Sequence, residues 1–136
     1  MTFLIDTNVL AELRKGSRAN AGVRAWFSSI EPDAIRLSVV TIGEIRRGIE
    51  SIRRRDPAAA RSIETWLRAL LAEHADSILR VDLEVAEEWG RLNVPDPMPV
   101  VDGLLAATAR VHGLTLATRN VKDVLRAGVD VINPFT

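Results

Sequence analysis

Thr2-Phe3-Leu4-Ile5-Asp6-Thr7-Asn8-Val9-Leu10 is the stretch whose reading decides the fold. A short apolar run stopped by Asp6-Thr7-Asn8 reads as a buried strand entering a helix N-terminus, and Val9, Leu10 and Leu13 then recur at helical spacing until Lys15-Gly16. The same grammar repeats outward from it. A helix is expected from about Asn20 to Ser29, a β-branched strand from Ile35 to Val40, and a helix opened by Thr41 and running to about Arg55. Asp56-Pro57 starts another helix, with proline in its first turn, that reaches His74. Ser77 to Val81 reads as a strand and Leu83 to Leu92 as a helix. Pro95, Pro97 and Pro99 make the intervening segment a loop. Val100 to His112 is a strongly apolar helix closed by Gly113. After it come a strand (Leu114 to Thr118), a short helix (Val121 to Ala127) and a last strand (Val129 to Ile132). Strands that alternate with helices and are apolar without polar alternation imply a parallel sheet covered on both faces. The expectation is an α/β, three-layer sandwich with a central parallel sheet of about four to five strands flanked by helices, forming one domain over residues 1–136.

Composition narrows the chemistry. The chain has 136 residues, 18 Lys plus Arg against 18 Asp plus Glu, 47% apolar residues and no cysteine. Disulfides, thiol nucleophiles and thiolate zinc sites are therefore excluded. His74 and His112 are too few for a three-histidine metal centre, so any metal would be a hard cation held by carboxylates. A neutral balance is not that of a polycationic nucleic-acid binder, although a local basic patch remains open. No apolar stretch approaches the roughly 18 residues of a membrane span. Met1 to Asp6 has no basic n-region and meets an acid at once, so no signal peptide and a cytoplasmic location are expected.

In a parallel α/β sheet, functional groups collect just beyond the C-terminal ends of the strands. Asp6 follows the first strand, Glu44 the second and Asp123 a later one, while Asp102 opens the helix after the proline loop. Each acid also has a structural explanation. Asp6 can cap its helix, Thr41-Ile42-Gly43-Glu44 fits a capping box, Asn120-Val121-Lys122-Asp123 could act similarly, and Asp102 suits a first turn. Together the balance shifts. Several partly desolvated carboxylates in one place repel, and a divalent cation relieves that repulsion. Mg²⁺ or Mn²⁺ fits such oxygen ligands and serves phosphodiester cleavage. No Ser-His-Asp set or phosphate-binding glycine loop competes.

Leu4-Ile5-Asp6-Thr7-Asn8-Val9-Leu10, Ser38-Val39-Val40-Thr41-Ile42-Gly43-Glu44-Ile45-Arg46-Arg47-Gly48, Pro99 to Ala109 around Asp102, and Leu116-Ala117-Thr118-Arg119-Asn120-Val121-Lys122-Asp123 resemble, in order and spacing, the PIN-domain ribonucleases. The closing Val131-Ile132-Asn133-Pro134-Phe135 is also similar, and the nearest group is the VapC toxins of type II toxin–antitoxin modules, in their FitB-like branch. The resemblance implies an Mg²⁺-dependent endoribonuclease acting on RNA such as tRNA. Asp6 and Asp102 would be the primary metal ligands, and Glu44 and Asp123 would bind a second ion or orient water. Many relatives carry an acid where this chain has Asn120, with Asp123 three residues on. Thr7 and Thr118 would hydrogen-bond the acids or the scissile phosphate, or else serve as cap and strand-end groups, and Asn8 would brace the site's backbone. A homodimer is implied, bound by a cognate antitoxin whose C-terminal segment covers the acids and forms a tetramer or larger assembly with the toxin.

The basic residues leave two readings. Arg46, Arg47, Arg53, Arg54 and Arg55 either contact phosphate beside Glu44 or form a solvated helix face paired with Glu50 and Asp56. Arg119, beside the acidic edge, is the better single phosphate ligand. Trp26, Phe27, Trp66 and Trp89 fit amphipathic helical patterns and so read as core, with base stacking the sharper alternative. His74 and His112 fall at helix C-terminal ends. Against the nuclease stand a binding module whose acids only cap helices, and a phosphoryl-transfer enzyme using Asp6 as nucleophile. The latter lacks a second aspartate at position 8, where Asn8 stands.

Overall fold

The strand that opens the chain, β1 (Phe3–Ile5), lies at the centre of the sheet. The structure, a computed structural model, describes residues 1–136. After β1 come α1 (Thr7–Leu13), α2 (Ala21–Ser29), β2 (Ile35–Ser38), α3 (Val39–Arg53), α4 (Pro57–Glu73) and β3 (Ile78–Leu79). They are followed by α5 (Leu83–Leu92), α6 (Val100–His112), β4 (Thr115–Ala117), α7 (Val121–Leu125) and β5 (Val131–Ile132). The five strands are ordered β3-β2-β1-β4-β5 and every pairing is parallel. The expected three-layer architecture is therefore the one observed.

Side-chain alternation along the strands divides the core. Leu4 and Leu116 face α6 and α7 in a cluster with Met98, Leu105, Ala106, Ala109 and Val124. Phe3, Ile5 and Ala117 face the other way, toward Val9, Leu10 and Val23 of α1 and α2. A satellite cluster of Ile49, Ala60 and Leu67 joins α3 to α4. Trp26, Phe27 and Trp66 pack against the second of these cores, half-buried, as the amphipathic pattern implies.

Several ends differ from the sequence expectation. The second strand stops at Ser38 instead of reaching Val40, because the Ser38 hydroxyl accepts from the Val40 N–H at 3.0 Å and caps α3. A satisfied N-cap outweighs the modest helix penalty of two β-branched valines. The strand expected at Ser77 to Val81 contracts to the two residues of β3, and β5 likewise starts at Val131. These are the sheet's two edge strands, each paired on one side only. At the other end of α6, Gly113 adopts φ 65°, the left-handed conformation that terminates a helix without a Cβ penalty.

The strand order places a topological switch between β1 and β4. Loops leaving adjacent strands there diverge to opposite faces and open a crevice at the C-terminal edge. The register Ile5↔Ala117 continues one residue further, with the Asp6 N–H donating to the Ala117 carbonyl at 3.0 Å. Asp6 and Thr118 are thus set side by side at that crevice.

Candidate active site

Asp6 is 6% exposed, directly after a strand whose residues are all buried. Both of its carboxylate oxygens are held. Oδ1 accepts from the Thr7 N–H at 2.6 Å, capping α1, while Oδ2 accepts from the Thr118 hydroxyl at 2.6 Å and from the Asn8 amide at 3.0 Å. Thr118 is fully buried, and its oxygen accepts in turn from the Asn120 N–H at 3.0 Å. Asn8 spans the switch: its amide also lies 3.4 Å from the Thr118 oxygen, and its carbonyl accepts from the Arg119 N–H at 3.2 Å. Of the roles the sequence left open for these hydroxyls, bonding to the acids is the one seen, and Thr7 does the same for Glu44, donating to Oε1 at 2.6 Å.

Glu44 does not form the expected capping box. The helix begins at Val39, so Thr41 is its third residue, and Glu44, six residues past the Ser38 cap, reaches across to Thr7. Asn120 likewise precedes α7 without a side-chain cap bond, so that second box is not formed either. Asp102 and Asp123 do lie in the first turns of α6 and α7, as expected. Asp102 is half-buried, Asp123 is exposed, and neither carboxylate accepts a hydrogen bond.

Electrostatics link the four acids. Burial raises the Asp6 carboxyl above the ordinary aspartate range; the Thr118 and Thr7 hydrogen bonds oppose this, and Glu44 repulsion adds to it. Burial also raises Asp102, and repulsion from Asp6, Asp123 and Glu44 raises it further. The structure therefore brings Asp6, Glu44, Asp102 and Asp123 into one electrostatic neighbourhood, although no three acidic or imidazole side chains close around a single point. The donor set, all carboxylate oxygen with Asp102 unpartnered, suits a hard divalent cation, which takes one or two carboxylates and keeps several waters.

The arginines separate into paired and free. Arg46 bonds to Glu50 at 3.2 Å and to Glu64, and Arg53 bonds to Glu50 and Glu64 at 3.0 Å each. Both are thereby committed to tying α3 to α4. Glu64 supplies the partner that the sequence reading assigned to Asp56, which instead caps α4 through the Ala59 N–H. Arg119 forms no ion pair; its guanidinium carbon lies 4.5 Å from the centroid of the Phe135 ring. Phe135 belongs to the closing stretch that carries the family resemblance, but its place under Arg119 was not expected from the sequence. The β4–β5 register, which brings Ala117 level with Ile132, sets the two residues near each other, and no local sequence pattern records it.

Residues 3–127 match the family described as PIN domain. The VapC ribonuclease Y4jK of Sinorhizobium fredii (strain NBRC 101917 / NGR234) is 32% identical over 140 residues, covering 97% of this chain and 96% of that protein. The crystal structure of FitAcB from Neisseria gonorrhoeae superposes with a TM-score of 0.89 at 30% identity, covering 98% of each chain. A toxin–antitoxin complex from Klebsiella pneumoniae superposes with a TM-score of 0.74 at 26% identity, again over 98% of each. With its acids set around the β1–β4 switch and its likeness running the length of the chain, this protein belongs to the PIN-domain family, in its VapC group.

Proposed function

We propose that this chain is a divalent-metal-dependent endoribonuclease, the toxin of a type II toxin–antitoxin pair, acting as one domain on cytoplasmic RNA. The observation that carries the reading is the convergence of four acids from four separated segments at one sheet edge, two of them raised in pKa by burial and mutual repulsion. Helix capping accounts for less, since of the proposed caps only Asp6 makes its side-chain bond. Likeness to a named ribonuclease and to a toxin–antitoxin complex supports the same conclusion.

In this reading Asp6 and Asp102 hold Mg²⁺, with Mn²⁺ a competent substitute, and Glu44 and Asp123 complete the acidic edge. Such a cation, when bound, supplies water activation and neutralises charge on a phosphoryl group. Thr118, Asn8 and the Thr7 N–H fix the Asp6 carboxylate before any ligand arrives, so little reorganisation accompanies binding. Thr7 fixes one oxygen of Glu44 and leaves the other open. Asp102 keeps its lone pairs free at the helix start, and Asp123, at the exposed rim, orients water. Arg119, one residue past Thr118 and bonded through its N–H to Asn8, provides a cation for a substrate phosphate. The expected partner is a homodimeric copy of the chain and an antitoxin, whose arginine can enter the carboxylate cluster in place of metal.

The test is cleavage of end-labelled total RNA by wild type and Asp6→Asn, each with Mg²⁺, Mn²⁺ or EDTA. Discrete fragments formed only by wild type with metal are expected. Absence of metal-dependent cutting by folded, antitoxin-free protein would overturn the proposal.

A further inference from the structure

The acids and their metal account for the reacting end of the site but leave Phe135 without a role beyond packing. Its ring is half-buried against the cluster of Phe3, Ile5 and Val9, and over it sits Arg119, 4.5 Å from guanidinium carbon to ring centroid. Arg119 is anchored at the acidic edge by its own backbone, one residue past the Asp6 partner Thr118 and bonded through its N–H to Asn8. Glu12, the acid whose carboxyl feels the Arg119 charge, does not claim the guanidinium. Glu12 is already bonded by Lys15 at 2.9 Å and by the Asn20 N–H at 2.8 Å. A cation lying over an aromatic ring surrenders none of its N–H donors to it, and those of Arg119 make no hydrogen bond within the chain. A flexible arginine is thus held in one place by attraction to the ring, with its donor fork unspent. That is the condition for bidentate recognition of a phosphate.

We infer that Phe135 is a positioning residue: it holds Arg119 at the mouth of the acidic edge so that the guanidinium engages one backbone phosphate of bound RNA beside the cleaved one. The inference rests on the ribonuclease reading and deepens it. Phe135 touches no substrate and acts through Arg119 alone.

The test measures binding of a fluorescein-labelled single-stranded oligoribonucleotide, in EDTA to prevent cleavage, across a KCl series. The proteins are wild type, R119A, F135L, F135Y and the double variant R119A/F135L. Leucine preserves the apolar packing and removes the π-face, whereas tyrosine keeps the face. F135L is expected to bind about two- to five-fold more weakly, the range of an exposed cation–π contact, and F135Y within twofold of wild type. R119A should lower the slope of log K against log salt by about 0.7, one phosphate on a single strand. The double variant should bind no more weakly than R119A. Wild-type affinity in F135L, or a further loss on adding F135L to R119A, refutes the positioning role while leaving the nuclease intact. A wild-type protein that neither binds the oligonucleotide nor cuts RNA with Mg²⁺ defeats the ribonuclease reading, and this inference falls with it. Thermal melts confirm that each variant is folded.

Discussion

Replacing Thr118 by valine removes one hydroxyl from a fully buried site and changes almost nothing in shape. That hydroxyl donates to Asp6 Oδ2 at 2.6 Å and accepts from the Asn120 N–H at 3.0 Å. A hydrogen bond to a charged group contributes roughly 1.5–3 kcal/mol. Asn120 lies at the surface, where water replaces the second bond at little cost. At about 4 °C per kcal/mol for a domain of this size, the midpoint of thermal unfolding should fall by about 6–12 °C at pH 8 in EDTA. The pH dependence has a definite sign. The Thr118 bond opposes the burial that raises Asp6, so the variant's Asp6 binds its proton at higher pH than the wild type's. The folded variant then carries more protons in the acidic range, and its deficit shrinks as pH falls through the Asp6 titration. Below it the bond is neutral and contributes only about 0.5–1.5 kcal/mol. Melts by circular dichroism at pH 8 and at falling pH through the acid range decide the matter. A drop under about 2 °C at pH 8, or a deficit that does not shrink as pH falls, would show that Thr118 does not hold an ionised Asp6.

Other outcomes follow from the same geometry. Asp102→Asn in EDTA should be at least as stable as wild type near neutrality. Asp102 is raised by burial and by repulsion from Asp6, Asp123 and Glu44, so ionising it costs the folded state stability as pH climbs past the ordinary carboxylate range. With Mg²⁺ at about a hundredfold over its Kd, wild type should gain about 2.7 kcal/mol and the variant far less, read as a shift in melting temperature. Gly22→Ala should release the end of the chain from α2. An added Cβ would lie 2.6 Å from the Pro134 carbonyl oxygen, so a lower melting temperature and faster amide exchange at Thr136 are expected. Leu67→Ala, at the buried α3–α4 contact, should cost about 2–5 kcal/mol by denaturant titration.

What was legible in the sequence was whatever is encoded locally. The bounds of α6 were legible because the prolines and Gly113 bracket it. Helix α5, expected over about Leu83 to Leu92, spans those residues behind an Asp82 cap that the structure shows. The placement of Asp6 at a strand end was equally visible. Glu44 shows where local reading stops: Thr41-Ile42-Gly43-Glu44 has the composition of a capping box, yet Ser38 starts the helix three residues earlier and Glu44 bonds to Thr7, 37 residues away. Spacing along a helix carries no record of such a partner. The same limit applies to the arginines. Arg46 and Arg53 could be separated from Arg47 only once α4 brought Glu64 alongside, 18 and 11 residues further on.

The pairing of β1 with β4 has a consequence for how the protein is made. Asp6 leaves the ribosome well before the hydroxyl that orients it, which is 112 residues downstream. Any fragment ending before Thr118 lacks the Asp6 brace and Asp123, and one ending before Asp102 lacks that acid and β4 as well. Contacts of such sequence separation form late, after a large loop has closed. A growing or truncated polypeptide on the ribosome, surrounded by RNA, therefore carries an unassembled acidic edge. Hydrolytic competence arrives as a single event, once the residues past Asp123 have been translated and β4 docks beside β1.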